Sequence, residues 1–200
     1  AEHGPLAVYL ATAGQIPSGL QEIGRLREVT FRKIGEGSGK AVDIDEFDST
    51  YRHLFVWDHD HEQMVGSYRL GLIDELLFPR YFFFRWRRDL SNIYISSLFR
   101  FQKNFFDELE PAIELGRSFI REEYQRRHTS LMLLWQGIGG FLAENPRYRY
   151  LIGPVSISND YSRISKALMV RFLSRPQYRS EMAVKVKPRT PFPMRKFGKA

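Results

Sequence analysis

Between residues 122 and 128, Glu-Glu-Tyr-Gln-Arg-Arg-His separates a strand-like run from a helical one. Such a junction is a ready place for a phosphate, because the first N–H groups of a helix lack internal partners and point outward. Arg126 and Arg127 add positive charge there, and Thr129 or Ser130 opens the helix as its cap. Upstream, Glu114 stands in an apolar strand-like run, where burial would raise its pKa towards a value useful for accepting a proton. A structural ion pair with Arg117 or Arg69 is the alternative reading. Asp45 and Asp48 sit in an acidic loop of the kind that forms turns and helix caps. The Gly35-Glu36-Gly37-Ser38-Gly39 stretch lacks the Lys-Ser/Thr ending of a phosphate loop and reads as a hinge or lid. His59 and His61 have the spacing of a metal pair, but no third ligand is evident; they read as exposed turn residues, and no metal is expected. The chain has no cysteine, which excludes disulfides, thiolate metal sites and a Cys nucleophile.

The elements that must position these residues follow from periodicity. Residues 6–12 read as a strand. A capping-box pair, Ser18 and Gln21, opens a helix carrying Leu20, Ile23 and Leu26 that ends near Gly35. Residues 53–57 and 64–70 form a hairpin around a polar tip. Residues 71–110 are weakly patterned, with a short strand at 94–99 and a helix at 104–109. A strand at 113–120, the polar loop, a helix carrying Leu131, Leu134, Trp135, Ile138, Phe141 and Leu142, a strand at 150–158 and a helix at 162–173 follow. This order implies an α/β (α+β) fold, a mixed central sheet flanked by helices on both faces.

The 200 residues, 43% apolar and 26% charged, can bury a sizeable core. No run approaches the ~20 apolar residues of a membrane span, and no signal-peptide pattern opens the chain. Its start at Ala1, almost directly in strand residues, leads us to expect a fragment of a longer protein. Of the net charge of +7, six positive charges follow the last acid, Glu181, which leaves the body near +1. A second basic cluster, Arg80, Arg85, Arg87 and Arg88, is interleaved with Tyr81, Phe82, Phe83, Phe84 and Trp86. Such a mixture suits an anionic membrane surface, an acidic carrier protein or nucleic acid; core packing of the aromatics is the plainer alternative.

Several separated blocks resemble one family. Glu114-Leu115-Gly116-Arg117-Ser118, Glu123-Tyr124-Gln125-Arg126-Arg127 and Leu133-Leu134-Trp135-Gln136-Gly137-Ile138 resemble the N-acyltransferases of ornithine- and glycine-lipid synthesis, often labelled hemolysin-like, which carry a GNAT fold. The likeness extends to Arg25-Leu26-Arg27, Asp45-Glu46-Phe47-Asp48, Val65-Gly66-Ser67-Tyr68-Arg69-Leu70 and Gly153-Pro154-Val155-Ser156-Ile157-Ser158. Arg27, Phe31, Asp45, Asp48, Arg69, Glu114 and Arg117 are also similar to positions of the acyl-homoserine-lactone synthases, although Gly71-Leu72-Ile73 stands where that family has a Pro-Thr segment. Leu98-Phe99-Arg100 and residues 155–161 are similar to GNAT regions fused to a glycerolipid-type acyltransferase domain, which would precede Ala1. The resemblance implies a GNAT-like domain over 1–175, with 176–200 as a basic extension.

It also implies transfer of a long-chain (3-hydroxy)fatty acyl group from acyl carrier protein to the amine of an amino acid such as ornithine or glycine. Glu114 is then the general base, acting directly or through a water, and Tyr161 the acid for the departing thiolate, unless Tyr161 only packs at a helix start. Arg117, Ser118, Arg126, Arg127, Thr129 and Ser130 are expected along the donor's phosphopantetheine arm. Asp45 and Asp48 take the acceptor's ammonium, and Arg69 or Arg27 its carboxylate. The loop at 125–130 has no glycine, so a coenzyme A pyrophosphate approaches its backbone less easily than the single phosphate of a carrier arm. No tightly bound cofactor is expected. The protein is placed in the cytoplasm, peripheral at the inner membrane, with no nucleic-acid partner. The competing readings are an acetyl- or acyl-coenzyme A-dependent acetyltransferase and a non-catalytic basic module that binds membrane or nucleic acid.

Overall fold

The structure, a computed structural model, describes residues 1–82, 85–109, 111–126, 128–158 and 160–193, with backbone alone described over 78–82 and 85–88. Its elements run β1 (Glu2–His3), β2 (Leu6–Thr12), α1 (Pro17–Lys33), β3 (Arg52–Asp58), β4 (Gln63–Leu72), α2 (Ile73–Leu76), β5 (Phe78–Phe82) and β6 (Arg85–Asp89). There follow α3 (Ile95–Leu98), β7 (Phe99–Phe101), α4 (Phe105–Leu109), β8 (Ala112–Ile120), α5 (His128–Glu144), β9 (Tyr150–Ile152), α6 (Arg163–Leu173) and β10 (Val186–Pro188). The main sheet has the order β1-β2-β3-β4-β8-β9 and is antiparallel except at β8–β9, which is parallel.

Alternation along the strands explains the layers. Leu54 and Val56 of β3, with Val65, Leu70 and Leu72 of β4, pack under α5 against Leu133, Leu134 and Ile138. The opposite face carries Met64 and Phe119, which pack under α1 against Ile23 and Leu26. Burial on both faces is why helices cover both faces, as the sequence order implied. Each fully buried aliphatic side chain contributes about 1.5–3 kcal/mol. Gly137 lets α5 lie directly on the sheet, since a Cβ there would meet Val8 Cγ1 at 2.6 Å. A third core fills the weakly patterned region, where Ile73, Ile93, Phe105 and Phe106 surround Tyr51.

Local chemistry departs from expectation in several places. α1 starts one residue before Ser18, with Pro17 in its first turn, and the capping box forms earlier, between Thr12 and Gln15. Pro needs no N–H partner at that position, so the helix begins there without a side-chain cap. The expected strand at 94–99 is instead helix α3 running into β7. The expected strand at 150–158 stops at Ile152, and no regular structure follows through Ser158. At the hairpin tip, buried Asp58 accepts bonds from the N–H groups of Asp60 and His61. His61 Nδ1 lies 3.1 Å from the same carboxylate, and His59 Nε2 3.0 Å from the Tyr9 hydroxyl. The two histidines thus diverge to separate partners, and among the described residues no cluster of metal-ligating side chains forms. Within the segment at 176–200, β10 pairs with β7, while Met182 and Val186 pack on the third core.

The glycine-rich loop is held rather than free. Glu28 accepts from the Ser38 hydroxyl at 2.7 Å, from the Ser38 and Gly39 N–H groups, and from Arg32. Gly35 and Gly39 have φ of +74° and +78°, and a Cβ on Gly37 would meet Arg32 Cα at 2.8 Å, so each glycine is needed. The Ser38 hydroxyl, with Arg32 and the two N–H groups, holds the Glu28 pKa down at about 2 from an ordinary 4.5. A depressed folded pKa stabilises above the unfolded value and loses that contribution as pH falls through the folded one. Urea melts of the parent and Glu28→Gln should therefore differ most above pH 4.5 and converge as pH approaches 2.

Candidate active site

β8 pairs with β4 along most of its length but with β9 only over Ala112–Glu114. Past Glu114 the two strands part, and the edge of β8 that faced β9 is open. Gly153 stands where they diverge: a Cβ there would meet the Leu115 carbonyl oxygen at 2.3 Å, so only glycine allows this approach. The opening is a cleft of about 1210 Å³. Leu115, Gly116, Arg117 and Ser118 form one wall, and residues 152–157 the other. Tyr68 and Trp135, in edge contact at 6.2 Å, line it together with Tyr94 and Leu98. Lys166 and Val170 of α6 and Glu36 of the glycine-rich loop also line it. Glu36 is the one carboxylate among the described lining residues, and it accepts a hydrogen bond from the Ser156 hydroxyl at 3.0 Å.

Behind the β8 wall lies a network of alternating charge. Arg27 Nη1 binds Asp48 at 2.7 Å, and Arg69 Nη1 binds Asp45 at 2.5 Å and Asp48 at 3.2 Å. Arg117 reaches Asp43 at 3.2 Å and Asp45 at 3.4 Å. Burial pushes the Asp48 carboxyl up, but Arg27 and Arg69 outweigh it and hold its pKa below the usual range. Arg27, Arg69 and Asp48 are each at most 1% exposed. With their charges committed to one another, they are closed to an acceptor, which corrects the expectation that Arg27 or Arg69 grips its carboxylate and Asp48 its ammonium. Asp45 and Arg117, each with a side chain 24% exposed, form the accessible end of the network. Arg117 adopts φ +50° and lies 5.4 Å over the Tyr94 ring. A positive φ on a non-glycine residue costs about 1–3 kcal/mol, and here it accompanies a break in the β4–β8 register at the cleft wall.

Glu114 does not face the cleft. Its Oε2 accepts from the Tyr51 hydroxyl at 2.6 Å and its Oε1 from the Ile95 N–H at 2.9 Å. The Tyr51 hydroxyl in turn accepts from the Tyr94 N–H at 2.8 Å. Burial pushes the Glu114 pKa up despite these bonds. Its raised folded pKa favours folding below the ordinary carboxylate value and loses that contribution as pH climbs through the raised one. A carboxylate with both oxygens engaged, 1% exposed and absent from the lining, cannot take a proton directly from a cleft-bound ammonium. Glu114 thus does not serve as a direct base; through the Tyr51 hydroxyl and the Ile95 N–H it holds the backbone beside Tyr94, which lines the cleft. Glu114→Gln should destabilise by about 1–3 kcal/mol. It should lower turnover yet leave the acidic limb of the pH–rate profile in place, whereas loss of a direct base would abolish that limb.

The remaining expected residues are dispersed. Ser118 lines the cleft and is exposed. Arg126, Thr129 and Ser130 do not line it, and the buried Ser130 hydroxyl donates to the Tyr124 carbonyl. Tyr161, 51% exposed before α6, is also outside the lining. Arg127 and the side chains behind the basic-aromatic reading of residues 80–88 lie outside the described residues. Sequence reasoning missed Glu36, Tyr94 and Lys166 as cleft residues. Glu36 carried a signal in its glycine-rich setting; Tyr94 and Lys166 carried none.

An acetyltransferase (GNAT) domain model matches residues 26–136, from α1 across the parting strands and into α5. The chain belongs to this family. A glycine N(alpha)-acyltransferase of Phocaeicola vulgatus is 34% identical over 84% of the chain and 52% of its own length. An L-ornithine N(alpha)-acyltransferase of Brucella abortus is 32% identical over 67% of the chain and 47% of its own length. The chain thus spans about half the length of these curated relatives. The mixed sheet with one parallel, splayed strand pair is therefore the GNAT sheet, and the cleft at that pair is its candidate active site.

Proposed function

We propose that this GNAT chain is an N-acyltransferase that moves a long-chain (3-hydroxy)fatty acyl group from acyl carrier protein to the amine of an amino acid such as glycine or ornithine. The observation that carries this reading is the cleft itself, about 1210 Å³ in volume, mostly apolar, and bounded by a strand edge left unpaired past Glu114. The amide groups of a phosphopantetheine arm can add to that edge as an extended peptide does. Leu98, Leu115, Trp135 and Val170 offer apolar surface for a fatty chain. The names of the relatives support an amino acid as acceptor.

A thioester needs no covalent enzyme intermediate, which agrees with a chain lacking cysteine. The site must align the partners, take a proton from the ammonium and stabilise the oxyanion. Glu36 is the group that takes the proton. The neutral amine nitrogen then bonds to the carbonyl carbon, the C–S bond breaks, and the proton this nitrogen sheds on becoming an amide goes to the departing sulfur, so that the carrier leaves as a thiol. Arg117, with Asp45 at its side, holds the acceptor's carboxylate at the cleft wall.

Lipid mass spectrometry of cells expressing the chain, compared with Glu36→Gln, tests this function. A new monoacylated amino acid seen with the parent and lost in the variant supports it. No new lipid with either, together with turnover of acetyl-coenzyme A by the purified protein, overturns it.

A further inference from the structure

α6 is weakly anchored, since Ala167 alone of its eleven residues is buried. Ile164, Leu168 and Phe172 recur at every fourth position and so form one stripe along the helix. They are 60%, 58% and 46% exposed, and Tyr161 and Leu173 extend the apolar surface at either end. Single exposed apolar residues need no explanation, but a contiguous patch marks an interaction surface.

The charges around the stripe indicate what covers it. Residues 161–180 hold Arg163, Lys166, Arg171, Arg175 and Arg179, and no Asp or Glu. Arg175 lies 5.5 Å over the Phe172 ring, which contacts Tyr178 at 4.5 Å, so cation and aromatic surface are presented together. A one-signed basic border around an apolar stripe is the composition of a helix that lies in the plane of an anionic bilayer, with arginines at the phosphates and apolar side chains below them.

We propose that α6 is an interfacial membrane helix, seating Ile164, Leu168 and Phe172 in an anionic lipid surface. Lys166 and Val170 of the same helix line the cleft. Those two positions lie on the side of α6 opposite the stripe, so docking puts the helix, about 10 Å across, between the cleft and the lipid. Lipid binding of this kind needs no turnover, so it stands or falls separately from the acyl-transfer reading.

Co-sedimentation with vesicles tests it, using phosphatidylglycerol–phosphatidylcholine mixtures and phosphatidylcholine alone. The parent should bind the anionic vesicles, more weakly at high salt, and leave the neutral ones. Leu168→Ser with Phe172→Ser, and separately Arg163→Gln with Arg171→Gln, should each lower partitioning about tenfold or more. All four positions are exposed, so circular dichroism should be unchanged. Parent-like binding by either double variant, equal binding to both vesicle types, or no binding at all overturns the proposal. So does a longer protein containing this chain whose lipid binding is indifferent to the α6 substitutions, since the stripe is then covered by its own chain.

Discussion

Arg69→Met should lower the free energy of unfolding by about 3–5 kcal/mol, because it leaves the buried Asp48 carboxylate, and the partly buried Asp45, beside a missing cation. Arg69 binds both Asp45 and Asp48, and Asp48 is 1% exposed. A loss of that size is a large share of the 5–15 kcal/mol typical of a folded domain. By contrast, the exposed Arg25–Glu22 pair, at a similar 2.7 Å, should contribute about 0–1 kcal/mol, since water screens it. Urea denaturation of Arg69→Met, Asp45→Asn and the double variant measures the coupling. The double variant should be less destabilised than the sum of the singles, because removing Asp45 relieves part of the uncompensated charge. Parent-like stability of Arg69→Met, with only a raised KM for the acceptor, would instead restore Arg69 to acceptor binding.

Glu36→Gln should lower kcat/KM about 10²–10⁴-fold, the range of general acid–base catalysis. Glu36 is only partly buried, and its side-chain bond to Ser156 is at the surface, so stability should stay within about ±0.5 kcal/mol. The two carboxylates are thereby separated by their signatures. Glu36→Gln lowers kcat/KM with little change in stability, whereas Glu114→Gln costs stability. Parent-like kcat/KM in Glu36→Gln would return the proton to another group.

Much of the sheet could be read from alternation. The hairpin of β3 and β4, the β8 strand, and α1 and α5 all carry periodic apolar faces that the structure buries. The cleft was legible only in part. The blocks at 114–118 and 153–158, which carry the family resemblance, overlap its two walls. The sequence placed the cleft at the helix mouth near Thr129 and not between them, and it did not mark which side chains face inward. Glu114 shows why: a carboxylate in an apolar strand reads alike whether it faces a substrate or a tyrosine hydroxyl. Tyr51 and Ile95, which settle the matter, lie 63 and 19 residues away. Tyr94 was illegible because residues 71–110 show little periodicity; they build the third core from short elements rather than long amphipathic ones. The break of β9 at Ile152 follows from tertiary divergence at Gly153, which no local propensity encodes.

The lack of cysteine allows a direct test of the cleft. Ser118→Cys places a single thiol on the exposed open edge of β8, and Tyr161→Cys places one outside the lining. Maleimide labelling of each, with and without a long-chain acyl-pantetheine, reports whether the donor's arm lies between β8 and β9. Slower labelling at residue 118 with no change at residue 161 is the predicted result. Equal labelling at residue 118 with saturating donor, or protection at residue 161 instead, would contradict a donor site between the splayed strands.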